Sequence, residues 1–175
     1  MNKLKTKVYI DGSNTFHAQK KLGWLIDWYK AKNYLSVSRD IIDWKYYIGV
    51  KDGDQEMASF LRYLNKVGIS VVTKPLKKIY LNKDDPQFEY AKDGRVYKAN
   101  FDVEMTADML LETDKITEII IFSGDSDFVY LVRKLKNLGK NVTIYSSRKT
   151  ISWELKLESA KVVFIEDLEK EFKKQ

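Results

Sequence analysis

The 175 residues are 44% hydrophobic and 13% aromatic, enough apolar material for a buried core, and 31 basic residues against 25 acidic ones give a formal charge of +6. With no cysteine and one histidine, His17, a disulfide framework and a Cys- or His-rich zinc site are excluded, so any metal must be held by oxygen ligands. Lys or Arg interrupts every apolar run short of the roughly 18 residues of a membrane span, and residues 1–7 lack the apolar centre of a signal peptide, which predicts a cytoplasmic protein without a membrane partner.

Residues 7–10 are β-branched and aromatic and run into Asp11-Gly12-Ser13-Asn14, which predicts a buried strand ending in a turn with Asp11 at its C-terminal end. In residues 22–35, Trp24, Leu25, Trp28, Tyr29 and Leu35 fall at helical spacing, and Ile42, Trp44, Tyr46 and Ile48 then alternate as in a strand. Met57, Phe60, Leu61, Leu64 and Val67 form one helical stripe closed by Gly68, followed by a β-branched strand at 69–73. Residues 77–100 break this rhythm. Asp93-Gly94 predicts a hairpin turn between 88–90 and 96–97, a β-ribbon excursion near 78–98.

The alternation resumes with a helix over 101–111, a solidly apolar strand at 118–122, and a tight turn at 123–127 into a helix over 128–138 that ends at Gly139. A strand at 142–145, a short helix over 152–157, a strand at 162–165 and a charged terminal helix from Leu168 complete the chain. Apolar strands separated by helices predict an α/β fold, a three-layer α/β/α sandwich around a mainly parallel sheet. In such sheets ligands bind outside the carboxyl ends of the strands, where strand order reverses, and Asp11 and Asp125 both fall at such ends.

Acidic residues recur in three segments where folding alone does not require them: after the first strand, at 102–108, and after the strand at 118–122. Brought together, such carboxylates repel one another unless a cation neutralises them, and a hard divalent ion with oxygen ligands is the natural partner. Each acid also has an ordinary reading. Asp125, Asp127 or Asp102 can serve as a helix cap, Asp11-Gly12 can be a turn, and Glu104 and Asp108, four apart, can be a solvated helical face. Asn14 suits an Asx cap or a supporting amide, and His17 is assigned no proton-transfer role. The basic clusters at Lys74, Lys77 and Lys78, at Arg133, Lys134 and Lys136, and at Arg148 and Lys149 suit a polyanionic partner or a solvated surface.

The segments Val8-Tyr-Ile-Asp-Gly-Ser-Asn14, Lys98-Ala-Asn-Phe-Asp-Val-Glu-Met-Thr-Ala-Asp108, Ile121-Phe-Ser-Gly-Asp-Ser-Asp-Phe128 and Gly139-Lys-Asn-Val142 resemble, in order and spacing, the NYN domains, a branch of the PIN-like ribonucleases. The likeness spans residues 7–167 and implies one PIN-like domain over 1–175. It implies Asp11, Asp102, Asp125 and Asp127 as metal-binding acids for Mg²⁺ or Mn²⁺, Asp108 as a further catalytic acid, and Asn14 and Ser123 as supporting residues. Lys98 matches a basic position before the middle acid, and with Lys74, Arg148 and Lys149 it is expected to hold phosphate. Ala99-Asn100 stands where relatives usually carry a glycine. Tyr80, Phe88, Tyr90 and Tyr97 offer faces for unpaired bases.

The resemblance thus implies a metal-dependent endoribonuclease acting on RNA, with single-stranded RNA favoured and a homodimer left open. A haloacid-dehalogenase-like phosphatase also begins with a strand ending in Asp. It requires a second acid two residues later, where this chain has Ser13. A nucleic-acid-binding or interaction scaffold that keeps the fold with little turnover is the alternative.

Overall fold

In chain order the elements of the computed structural model are β1 (Leu4–Asp11), α1 (Gly12–Leu22), α2 (Trp28–Ser38), β2 (Arg39–Val50), α3 (Gln55–Lys66) and β3 (Ser70–Pro75). The hairpin β4 (Lys77–Tyr80) and β5 (Arg95–Lys98) follows, then α4 (Asp102–Leu111), β6 (Glu118–Phe122), α5 (Val129–Asn137) and β7 (Asn141–Ser146). The chain closes with α6 (Trp153–Glu158), β8 (Lys161–Phe164) and α7 (Glu169–Phe172). Residues 3–80, 82 and 94–175 are described.

Six strands form one sheet in the order β3-β2-β1-β6-β7-β8, and every neighbouring pair is parallel. The chain winds outward from β1 to β3, then returns to the other side of β1 and winds outward again through β6, β7 and β8. The order therefore reverses between β1 and β6, whose pairing ends at Ile10 opposite Phe122. Beyond the carboxyl ends of these two strands the chain runs off in opposite directions across the sheet, the place where such sheets form their ligand crevice.

Both faces of the sheet are covered, which is why the central strand β6 is buried along its whole length rather than at alternate residues. On one face Val8, Ile10, Ile120 and Phe122 pack with Trp28, Leu35, Leu64 and Phe172. On the other, Tyr9, Ile119 and Ile121 pack with Met105 and Met109 of α4, Leu131 and Leu135 of α5, and Leu155 of α6. Each large apolar side chain so buried contributes about 1.5–3 kcal/mol. This is the three-layer α/β/α sandwich expected from the sequence.

The structure corrects three details. The residues read as one helix from 22 to 35 divide between α1 and α2. Gly23 ends α1 in a left-handed conformation (φ 78°), and Asp27 starts α2 by accepting the backbone N–H groups of Tyr29 and Lys30. Arg95–Lys98 pairs with Lys77–Tyr80, an arm not expected as a strand from the sequence. Phe88, Tyr90 and the Asp93 turn position lie outside the described residues. The terminal helix is a single turn, preceded by a 3₁₀ turn at Ile165–Leu168. Among the described residues no helix is long and apolar enough to cross a membrane.

Candidate active site

Two glycines set the shape of the crevice. A Cβ on Gly12 would stand 2.5 Å from the Tyr47 carbonyl oxygen, so only glycine lets the first turn of α1 pass this close to β2. A Cβ on Gly124 would meet the Thr150 carbonyl oxygen and Ser146 Oγ, each at 2.6 Å, because the loop after β6 is pressed against the loop between β7 and α6. Ser152 fastens that contact by donating its backbone N–H to the Gly124 carbonyl at 2.8 Å. Asp11 and Asp125 therefore leave their strands on backbones that neighbouring elements hold in place.

Side chains then join the two loops. Asp11 accepts the backbone N–H of Asn14 at 3.0 Å and the Ser123 hydroxyl at 3.2 Å. Ser123 Oγ in turn accepts the backbone N–H of Asp125 at 3.2 Å, and Asn14 Oδ1 accepts that of Gly124 at 2.8 Å. Asp125 caps the 3₁₀ turn Ser126–Phe128 by accepting the Asp127 N–H at 3.1 Å. The cap reading is correct for Asp125, whereas Asp102 is the first residue of α4 and not its cap, and Asp11, expected only at a turn, is the cap of α1. Asp125 caps through one oxygen and presents the other, while Asp11 uses one oxygen for Asn14 and the other for Ser123, each retaining a second lone pair. Asn14 and Ser123 each link the loop after β1 to the loop after β6.

Asp102 reaches the same place from α4. Asn100 Oδ1 accepts its backbone N–H at 2.7 Å, so the Asn that replaces the relatives' glycine region forms a local turn setting the start of α4. Burial is the largest influence on the Asp11 carboxyl and pushes its pKa up. Asp102 and Asp125 push it up further, against the pull of the Asn14 and Ser123 hydrogen bonds. Asp102 is raised likewise, by burial first and then by Asp125 and Asp127. Acids from three chain segments therefore act on one another near the point where strand order reverses, Asp102 and Asp125 on Asp11, and Asp125 and Asp127 on Asp102.

Asp108 lies elsewhere. It accepts the Tyr47 hydroxyl at 2.6 Å and Lys45 Nζ at 3.0 Å. One turn further along α4, Glu112 takes Lys7 Nζ at 3.0 Å, the Tyr9 hydroxyl at 3.1 Å and also Lys45. Together these make a polar rail along which α4 is fastened to β1 and β2. Tyr9, Lys45, Tyr47 and Glu112 are the partners of this rail that sequence reading missed. The one signal, for Lys45, Tyr9 and Tyr47, was a polar or basic group inside a strand.

The basic candidates occupy the rim. Lys74 Nζ is 2.7 Å from Glu104 and 4.5 Å from the Phe101 ring centre, next to Asp102. Lys98 lies exposed at the end of β5, opposite Lys77. Arg148 and Lys149 belong to the loop pressed on Gly124. The Arg148 guanidinium forms two bonds to Asp167, at 2.9 and 2.7 Å, over the Phe164 ring, and Lys149 Nζ meets the Lys21 carbonyl at 3.2 Å.

Comparison with known proteins decides the family. The family model of the NYN domain matches residues 5–166. The chain belongs to the NYN domain family. Membership places it within the PIN-like nuclease superfamily. This NYN domain is 31% identical over 165 residues to the Low amplitude and bright protein LabA of Synechococcus elongatus, covering 92% of this chain and 83% of that one. It also shares its fold, with a TM-score of 0.74 and 23% identity over 94% of both chains, with a crystal structure of a protein of unknown function from Vibrio parahaemolyticus.

The donor set fits a divalent ion in kind: carboxylate oxygens whose mutual repulsion a hard cation relieves. Among the described residues no group of three or more His, Cys, Asp or Glu side chains is placed so that it could hold a metal ion. Magnesium, which keeps several waters and takes one or two carboxylates, does not require one.

Proposed function

We propose that this NYN domain is a metal-dependent endoribonuclease that hydrolyses RNA phosphodiester bonds, with Asp11, Asp102, Asp125 and Asp127 holding Mg²⁺ or Mn²⁺. One observation carries the reading: the electrostatic crowding of these acids at the strand-order reversal. A protein does not gain stability by assembling repelling carboxylates in a half-buried crevice, and functional sites are where such arrangements concentrate. When bound, the ion would neutralise these carboxylates, polarise the scissile phosphate and lower the pKa of a water.

The chain's own residues account for the remainder. Asp11, locked by Asn14 and Ser123, fixes one wall, and the Ser123-Gly124-Asp125 loop fixes the other. Asp102 arrives on the first turn of α4, where the helix N-terminus favours the ionised carboxylate that burial opposes. No side-chain nucleophile is needed, since an oriented water suffices for in-line attack. Lys98, Lys74, Arg148 and Lys149 would hold the RNA backbone around this centre. Arg148 and Lys74 make ion pairs with partly exposed acids, and such solvent-screened contacts exchange readily for phosphate.

Cleavage of end-labelled single-stranded RNA and single-stranded DNA in Mg²⁺, in Mn²⁺ and in EDTA tests the proposal. Cutting of RNA that EDTA abolishes is the expected result, and equal cutting in EDTA would overturn it. That no group of three such side chains among the described residues is placed to hold a metal ion favours a second reading, a nucleic-acid-binding scaffold without turnover. Salt-sensitive binding without cutting in any metal supports that reading.

A further inference from the structure

Three of the four tryptophans, Trp24, Trp28 and Trp44, are buried, at 8%, 1% and 2% exposure, whereas Trp153 is 66% exposed. An indole is among the most costly side chains to leave in water, and among the described residues nothing covers this one. Its position ties it to the crevice. Trp153 begins α6 immediately after Ser152, whose backbone N–H is bonded to the carbonyl of Gly124, the residue between Ser123 and Asp125. The indole is thus mounted on the β7 side of the acidic centre by the bond that shapes the centre itself.

The surroundings suit a polyanion. Lys156 Nζ lies 5.9 Å from the Trp153 ring centre, and on α5 Lys134 Nζ lies 5.1 Å from the ring of Tyr130, which is also exposed. Together α5 and α6 carry four basic residues against two acids, and one of those acids, Glu158, is held by Arg133 and Lys136. Exposed aromatic faces with lysines beside them are the pattern that binds single-stranded nucleic acid, the ring stacking a base and the ammonium meeting the adjacent phosphate. An exposed apolar face for a protein partner would not need the lysines.

We propose that Trp153 is a stacking platform for one unpaired base of single-stranded nucleic acid bound across the acidic crevice, with Lys156 on the flanking phosphate. The identity of the ligand rests on the nuclease reading above. The platform would select single strands over duplexes, because a base inside a duplex has no free face to offer. The β4–β5 hairpin, where Tyr80 and Tyr97 are exposed beside Lys78 and Lys51, lies on the β3 side of the sheet and would take the other end of the strand.

The tryptophan distribution supplies its own probe, since Trp153 is the one indole that solvent and ligand can reach. Titration of the wild-type protein in EDTA with a single-stranded oligouridylate should quench its tryptophan emission, and a blunt RNA duplex should quench it far less. By anisotropy of labelled oligouridylate, Trp153→Ala should bind roughly tenfold more weakly, while Trp153→Phe should stay within about twofold of wild type. Unchanged emission, or Trp153→Ala binding as tightly as wild type, overturns the platform. Metal-dependent cleavage accompanying either of those results leaves the nuclease reading standing. Quenching without cleavage in any metal does the reverse, and failure of the oligouridylate to bind at all overturns both.

Discussion

Asn14 Oδ1 accepts the backbone N–H of Gly124 at 2.8 Å, so the first turn of α1 and the loop after β6 are tied together across the strand-order reversal. The bond fixes the spacing of Asp11 and Asp125, which hang from its two ends. Asn14→Ala removes the acceptor and leaves a part-buried N–H unpaired, a loss of about 1–3 kcal/mol. Turnover should fall by at least tenfold, well beyond what reduced folding explains, because the two acids are released from each other. Thermal unfolding together with kcat on a labelled RNA checks this, and a variant as active as wild type would contradict it.

A second expectation concerns the metal-free protein. Burial, then Asp102 and Asp125, hold the Asp11 carboxyl above its ordinary value of 3.8. A carboxyl shifted up contributes stability that is full below its unfolded pKa and lost as pH rises through the folded value, so the charged form weakens the fold at neutral pH. Asp11→Asn keeps a cap acceptor and removes that charge. In EDTA it should melt higher than wild type at neutral pH, with the gap closing toward about pH 4. Added Mn²⁺ should raise the melting temperature of wild type alone. A variant that melts lower at neutral pH would count against the crowding of acids.

Asp108 offers a third test. Its bonds to Tyr47 and Lys45 make it an anchor for α4, and through α4 a positioning residue for Asp102. Tyr47→Phe and Asp108→Asn should each cost about 1–2 kcal/mol of stability. Both should retain Mn²⁺ affinity, measured by calorimetry, within about threefold (less than 1 kcal/mol). If Asp108→Asn instead loses Mn²⁺ binding as completely as Asp125→Asn, Asp108 belongs among the ligands.

At the opposite end of the sheet, Arg39 grips the buried Glu118 at 2.7 and 3.2 Å, and Thr6 and Thr143 complete the carboxylate's partners. Burial alone would raise this carboxyl, but the Arg39 bonds and charge and the two hydroxyls hold it below its ordinary 4.5. That stability is present above about pH 4.5 and lost as pH falls through the lower folded value. Arg39→Met strands a buried charge and should cost about 3 kcal/mol or more at neutral pH, with a smaller difference in acid. Activity per folded molecule should be unchanged, and a large loss of turnover would show that this pair is not merely structural.

Much of this architecture was legible because burial on both faces leaves an unmistakable trace: strands such as Glu118–Phe122 with no polar residue after the first. The carboxyl-end positions of Asp11 and Asp125 followed from the same runs. α1 was not legible, since Gly12–Leu22 buries only Gly12, Thr15, Ala18 and Gln19 and carries no apolar stripe. Its boundary with α2 was marked by Gly23 and Asp27, signals that a run of nearby aromatics outweighed. The strand Lys77–Tyr80 was not legible because it has no strand pattern of its own and is defined by its partner. At the site, acid positions could be read from sequence, but the separation of Asp108 from the other four could not. It depends on Lys45 and Tyr47, which meet α4 only through tertiary packing.

The central claim is most directly tested by Asp125→Asn. Asn retains the cap to Asp127 and the backbone bond to Ser123, so the variant should fold with a melting temperature at or above that of wild type in EDTA. The account predicts that wild type cuts single-stranded RNA in Mg²⁺ or Mn²⁺ and that Asp125→Asn cuts at least a hundredfold more slowly while still binding the RNA. A folded Asp125→Asn protein that cleaves at the wild-type rate would contradict it.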